Sequence, residues 1–375
     1  MPPSLSILGA SVRSAAQSAR RAGFIPCGAD LFADHDLQQV CAATIRVSDY
    51  PQQLIDASKQ LPSGPWMYTG GLENHPEIID QIATTQTLLG NPGAVLCRVR
   101  DPWQLSAVLT SHGMASPTLK RDLDDVTVTR CSIRKPLQSC GGQRIGCIDP
   151  GEAYQDTPDF FYQQFIPGKT YSAVYTGNQQ SAGFVGLTRQ LAGTAWTGAQ
   201  RFQYAGSLGP VIPPPNLHSQ LVEIGHVLAS CFQLRGLFGV DLILSDDVWI
   251  LEVNPRYTAS VEILEVGFNW PALSEHLQVC QGNTPRPPSG PPLCLCGKAI
   301  VYARRDTVIS PSFTKFAAAA NTDPGCPTIA DIPHNGARIL QRQPVTTVLA
   351  IDHDWKRLYG TLKRRVSQVQ ALLGC

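Results

Sequence analysis

The run GVDLILSDDVWILEVNPR, residues 239 to 256, sets two β-rich segments on either side of a polar turn at Ser245, Asp246 and Asp247, which predicts a β-hairpin. With a loop of two residues (Asp246, Asp247) or four (Ser245 to Val248), Leu244 pairs with Trp249 and Asp241 falls directly opposite Glu252. Alternation then carries Asn254 onto the face of Glu252 and turns Leu242, Leu244, Leu251 and Val253 to the other. One face is oily and the other can chelate. Like charges directly opposite in a strand pair are destabilising, so a buried pair either shares a proton or binds a cation. Two carboxylates and an amide form an oxygen-only set that suits Mg2+, with Mn2+ able to replace it, and leave positions for water and phosphate. A three-residue loop would slip the register and part the two carboxylates. From the hairpin alone, a solvated sheet face accounts for Asp241 and Glu252 equally well.

Upstream, IRKPLQSCGGQRI places Lys135 at the end of a short strand, before a loop containing Ser139, Gly141 and Gly142. Glycines let backbone N–H groups turn inward as an anion nest, and a lysine offsets phosphate charge. Lys-Pro followed by Gly-Gly also makes an ordinary hairpin turn. The run is neither a Walker loop nor a kinase loop.

The rest of the chain predicts two or three units around a cleft, the default for 375 residues. Residues 5 to 8, the helix-compatible SVRSAAQSARRAGF and a second apolar segment reaching Asp30 read as a βαβ opening. Gly9 followed by Ala10 and Ser11 falls short of GxGxxG, which argues against a dinucleotide site and leaves Asp30 free of any ribose. A helix from Pro76 to Leu89 and the segment DPWQLSAVLTSHG complete a small α/β domain ending near 115. Short β-rich pieces, VTVTRCSIRKP, DFFYQQFIPG, TYSAVYTG and SAGFVGLTRQ, then predict an antiparallel lid over 116–186. Beyond it come a helix in NLHSQLVEIGHVLASCFQLRG, the hairpin, a Pro-rich connector at 284–292, two strands and a closing amphipathic helix in DWKRLYGTLKRRVSQVQALL.

Composition narrows the function classes. An apolar fraction of 43% and a charged fraction of 16% describe a chain with a real core. Net charge is +1 with Lys and Arg scattered, which disfavours nucleic-acid binding and favours small-molecule chemistry. No apolar run is long enough to span a bilayer, and the first residues lack the pattern of a secretory signal, so the expected location is the cytoplasm. The twelve cysteines include no CxxC pair, and reduced, buried thiols are expected.

Lysine with a Gly-rich loop, then FYQQFIPG, then an acidic hairpin ending in EVNPR, stand in the order and approximate separation of the ATP-grasp superfamily. The resemblance covers nearly the whole chain and implies an α/β (α+β multi-domain) ATP-grasp fold. Its parts would be an N-terminal Rossmann-like pre-ATP-grasp domain (1–115), a small lid subdomain (116–186) and a C-terminal subdomain with a carboxylase-like tail (187–375). The tail resembles the biotin carboxylase and carboxyaminoimidazole ribonucleotide synthetase branch. LGASVRSAA, TGGLEN and EVNPRYTASVE also resemble a group of predicted ATP-dependent carboligases. Some of these accompany pterin-dependent one-carbon pathways, which points to cofactor or small-metabolite biosynthesis.

On that resemblance Lys135 binds the α and β phosphates of ATP, and Ser139, Gly141 and Gly142 belong to the loop that closes over the triphosphate. Gln163, Gln164, Phe165 and Ile166 form the adenine-binding hinge. Asp241, Glu252 and Asn254 hold Mg2+, and Arg256 stabilises the charge on the transferred phosphoryl group or the acyl phosphate. An earlier phosphate-binding base is open between Lys120 and Arg130. Arg201 is a candidate anchor for a substrate carboxylate. Glu73 and Asn74 are candidates to line the cleft, although Asn74 would serve equally as a helix cap before Pro76. Gln164, where many relatives carry Glu, and Cys140, which interrupts the Gly loop, are departures.

These residues imply a carboxylate-amine ligase working through an acyl phosphate, with small-molecule carboxylate and amine substrates. Two other readings stay open: a bicarbonate-activating carboxylase-type ligase, and a nucleotide-binding module without turnover. Related chains often form homodimers, which sets the expected assembly.

Overall fold

The computed structural model describes residues 2–122, 132–148, 157–321 and 327–374. Ser4–Leu8, Arg13–Arg21 and Ile25–Asp30 form the expected βαβ opening, with the two strands parallel. Its helix turns Ala15, Ala16 and Ala19 inward, small side chains that let it lie close on the sheet. The five-stranded parallel sheet runs Ala43–Arg46, Ile25–Asp30, Ser4–Leu8, Pro65–Tyr68, Thr87–Leu88. Strand order reverses between Ser4–Leu8 and Pro65–Tyr68, so a crevice opens at their carboxyl ends, where ligands bind in sheets of this kind. Asp30 is occupied there by backbone, accepting hydrogen bonds from the amides of Val12, Phe32 and Ala33.

The helix expected over 76–89 ends at Ala83. Thr84 and Thr85 donate their hydroxyls to the carbonyls of Gln81 and Ile82, a local competition that closes helices, and Thr87–Leu88 joins the sheet instead.

A four-stranded antiparallel sheet follows in the order Leu119–Lys120, Phe160–Gln164, Ser132–Pro136, Gly146–Ile148. The chain then enters an eight-stranded antiparallel sheet, ordered Val248–Asn254, Arg235–Leu244, Lys169–Asn178, Ala182–Ala192, Tyr204–Val211, Leu295–Tyr302, Pro344–Asp352, Ile329–Ala330. The change of sheet falls at 165–168, and residue 186 lies inside the strand Ala182–Ala192. Short β-rich pieces look alike whichever sheet they join, so hydrophobic pattern does not separate the two.

Two helices seal the large sheet. Pro215–Phe232 buries Leu221, Ile224, Leu228 and Phe232 in a core shared with Tyr175, Phe238, Leu242, Ile250 and Val253. Trp355–Leu372 buries Leu358, Leu362, Val366 and Val369, spaced three or four apart, with Ala299, Val301, Val348 and Ala350; each such side chain contributes about 1.5–3 kcal/mol. A buried ion cluster joins the N-terminal helix to the rest: Arg13 binds Glu262 and Asp331, and Lys298 Nζ reaches Glu262 at 2.9 Å. Despite burial, Arg13 and Lys298 hold the Glu262 carboxyl well below the usual range. Among the described residues no helix is long and apolar enough to cross a membrane.

Candidate active site

Strands Arg235–Leu244 and Val248–Asn254 form the predicted hairpin, but Leu244 pairs with Val248, not Trp249, across a turn of three residues. The expected slip does not reach the carboxylates. A β-bulge between the pairs Leu242–Ile250 and Asp241–Glu252 absorbs one residue, Leu251, and returns Asp241 to a position opposite Glu252 and Gly239 to one opposite Asn254. The bulge also switches faces. Val248, Ile250 and Val253 enter the core, whereas Leu251, expected on the oily face, is only partly buried.

On the polar face the groups form one connected set. Asp241 accepts from Gln190 Nε2 at 2.9 Å and from Asn254 Nδ2 at 3.1 Å. Asn254 Oδ1 accepts from Arg256 Nη2 at 3.2 Å. Lys135 Nζ lies 3.5 Å from Glu252 Oε2. Burial and then the facing Glu252 push the Asp241 carboxyl up. Glu252 is held low against its burial by Lys135 and Arg100. Two carboxylates that resist ionising together, supplemented by an amide oxygen, fit a hard divalent cation.

Lys135 stands opposite Phe161 and is 6% exposed. The glycine loop after it is pinned on two sides. Ser139 O accepts from Asn74 Nδ2 and from Arg100 Nη2, each at 3.3 Å, and Gly141 O accepts from the Tyr204 amide at 3.0 Å. Gly142 has φ of 75°, and a Cβ there would lie 2.0 Å from Phe202 O, so only glycine fits. Cys140 lies inside the cluster, where burial and then Glu73 push its thiol up.

The hinge segment 163–166 leaves the four-stranded sheet for the large one. Gln163 and Ile166 are buried, Phe165 is partly buried, and Gln164 Oε1 accepts from the Thr118 amide at 3.3 Å. From the N-terminal domain, Glu73 Oε1 accepts from Arg256 Nε at 2.8 Å. Asn74 serves the glycine loop and also accepts from Arg100 Nη2. Arg201 stands apart: it is exposed, with its guanidinium 5.3 Å from the Phe202 ring centre. Lys120 pairs with Tyr162 in the small sheet, and Arg130 lies outside the described residues. Sequence reasoning missed Arg100 and Gln190, which meet the site through contacts far apart in the chain and carry no local motif.

Residues 99–260 match the family model of the ATP-grasp domain. An uncharacterized protein of Methanocaldococcus jannaschii is 28% identical over 58% of this chain and 50% of its own length, so the chain spans about half of that relative. The structure is similar to the L-amino acid ligase of Bacillus licheniformis, with a TM-score of 0.73 and 14% identity over 98% of this chain and 97% of that one. It is equally similar, at 0.73 and 11% identity over 95% and 88%, to the biotin carboxylase domain of Hydrogenobacter thermophilus 2-oxoglutarate carboxylase, a structure with MgADP and bicarbonate. The chain carries an ATP-grasp domain and has the ATP-grasp fold, preceded by a Rossmann-like parallel sheet.

Proposed function

We propose that the chain is an ADP-forming ligase that activates a carboxylate as an acyl phosphate and joins it to an amine in small-metabolite biosynthesis. One observation carries this reading: Lys135, Asp241, Glu252, Asn254 and Arg256 lie in one set of side chains linked by direct contacts or by cross-strand pairing. Phosphoryl transfer asks chiefly for positioning and cationic stabilisation, which such a set supplies.

Asp241, Glu252 and Asn254 would hold Mg2+ (or Mn2+), which offsets phosphate charge when bound. Lys135 would bind the α and β phosphates beside Glu252, and Gly141 and Gly142 would close over the triphosphate. Gln163 to Ile166 would take the adenine. Arg256, fixed by Glu73 and Asn254, is oriented to steady the γ-phosphoryl group as a substrate carboxylate oxygen attacks it and ADP leaves. The amine lone pair then forms the C–N bond while the C–O bond to phosphate breaks; phosphate leaves with the electron pair and the amine proton passes to solvent.

The experiment is ADP release from MgATP across a panel of small carboxylates with hydroxylamine as acceptor, which traps an acyl phosphate as a hydroxamate. ADP and hydroxamate appearing together for one carboxylate support the ligase. Nucleotide binding without ADP from any of them refutes it, and ADP that depends on bicarbonate alone replaces it with the carboxylase-type reading.

A further inference from the structure

The crevice at the reversal of the parallel sheet opens directly onto Arg256. Its floor is Gly70–Gly71, tied to the first strand by the Ala10 amide, which donates to Gly70 O at 2.9 Å. A Cβ on Gly70 would stand 3.3 Å from Arg256 Cζ, and one on Gly71 would stand 2.7 Å from Tyr50 Oη. Arg256 and Tyr50 therefore flank two adjacent glycines, and both residues would lose room to any side chain there. Glu73 follows after Leu72, its side chain wholly buried.

Two polar atoms at this place have no partner among the described residues. Glu73 spends Oε1 on Arg256, at 2.8 Å to Nε and 2.7 Å to Nη2, while its buried Oε2 accepts nothing. The buried hydroxyl of Tyr50 likewise neither donates nor accepts. Native proteins rarely leave such atoms unmatched, and each one calls for an explanation. Here they are complementary to one ligand, since a carboxylate oxygen can only accept and a phenol can donate. Above them lies the glycine loop, whose Ser139 carbonyl is held by Asn74 and Arg100 and whose Cys140 thiol sits among Glu73, Arg256 and Arg100.

We propose that Glu73 and Tyr50 recognise the acceptor: Glu73 Oε2 accepts an N–H of a primary amine, and Tyr50 Oη donates to an oxygen neighbouring that nitrogen. This rests on the ligase reading and specifies its second substrate as an amine bearing an oxygen beside its nitrogen, of which hydroxylamine is the smallest example. An acceptor carrying only oxygen lone pairs would meet the Glu73 carboxylate with repulsion. Because Oε1 of the same carboxylate is fixed to Arg256, a nitrogen on Oε2 stands beside the guanidinium that steadies the acyl phosphate, and orientation follows from a single side chain.

The test compares two probe amines, hydroxylamine and methylamine, using the carboxylate that supports ADP release, in wild type, Tyr50→Phe and Glu73→Gln, each shown to be folded by its thermal melt. Tyr50→Phe keeps the Glu73–Arg256 pair and should lower the preference for hydroxylamine over methylamine, read as a ratio of kcat/KM, by about tenfold, the size of one buried hydrogen bond. Glu73→Gln also loosens Arg256, so it should lower ADP formation and, beyond that, raise KM for both amines by about tenfold or more. An unchanged preference in Tyr50→Phe overturns the assignment. So does an unchanged KM for both amines in Glu73→Gln, which would make Glu73 a support for Arg256 alone. No ADP from wild type with any carboxylate fails at the earlier step and removes the ligase reading itself.

Discussion

Glu252→Gln separates the metal site from the fold, because the two electrostatic consequences of the change oppose each other. Removing the charge takes away the attraction to Lys135 at 3.5 Å, about 5 kcal/mol by Coulomb's law at an effective dielectric of about 20. Glu252 is 36% exposed, and screening with desolvation brings that to about 1–2 kcal/mol. The same change relieves the repulsion with Asp241, which at the roughly 5 Å separation of facing strand residues is about 3 kcal/mol before screening and about 1 after it. The metal-free variant should therefore melt close to wild type, within about 1 kcal/mol. MgATP acts differently. At 100 times Kd it stabilises the wild type by about 2.7 kcal/mol, about 5 °C at roughly 2 °C per kcal/mol for a long chain. Loss of one charged ligand contact of about 2 kcal/mol raises Kd about 30-fold and leaves a shift of about 1–2 °C. Thermal melts with MgATP and with EDTA measure both quantities. A full MgATP shift in Glu252→Gln would refute the metal assignment, and a collapse of the metal-free melt would refute the cancellation.

Two further expectations rest on geometry elsewhere. Gly142→Ala places a Cβ 2.0 Å from Phe202 O at positive φ, whereas Gly141→Ala has nothing within 4 Å; the first should weaken MgATP binding by about tenfold or more in calorimetric titration, and the second should cost only backbone strain of about 1 kcal/mol. Asp34 is pushed up to about 9 by burial and then by Asp331, Asp36 and Asp30. From the ordinary carboxylate range up to about pH 9 the folded state keeps a proton the unfolded state has lost, so this group lowers stability as pH rises through that window. Asp34→Asn should raise stability by about 1–3 kcal/mol at pH 8 and leave it unchanged near pH 3 in denaturant titrations; equal melts at both values would show that Asp34 ionises freely.

The pairing of Asp241 with Glu252 was legible in the sequence, although the route to it was not. Turn length and bulge position each shift the register by one, and here they cancel. The sequence does not mark the bulge, since Val248 to Leu251 form one apolar run with no alternation to interrupt. Lys135, the glycine loop and Arg256 are singled out by their resemblance to the ATP-grasp superfamily, since Lys-Pro followed by Gly-Gly reads equally as an ordinary turn. Arg100 could not be found, because its contact with Val253 spans 153 positions and nothing periodic announces it. Tyr50 was hidden for a related reason: its importance lies in what its hydroxyl lacks. Arg201, the candidate anchor for a substrate carboxylate, is exposed with its guanidinium 5.3 Å from the Phe202 ring centre.

The site is assembled from both sides of the cleft, and this bears on why its strongest ion pairs are the buried ones. Arg256 belongs to the ATP-grasp domain, yet its orientation depends on Glu73 from the parallel-sheet domain. Any rotation between the two would separate guanidinium from carboxylate and leave both charges buried and unpaired, at a cost of about 3–5 kcal/mol. Six residues after Arg256, Glu262 receives Arg13 from the first helix of the same parallel-sheet domain, and Lys298 from the large sheet. The Arg13–Glu262 contact ties the first helix to the helix that follows the strand Val248–Asn254, so it opposes the rotation that would part Arg256 from Glu73. On this view Arg13 stabilises geometry at a distance, and the glycine loop is pinned between the two sides, Ser139 O by Asn74 and Arg100 and Gly141 O by the Tyr204 amide.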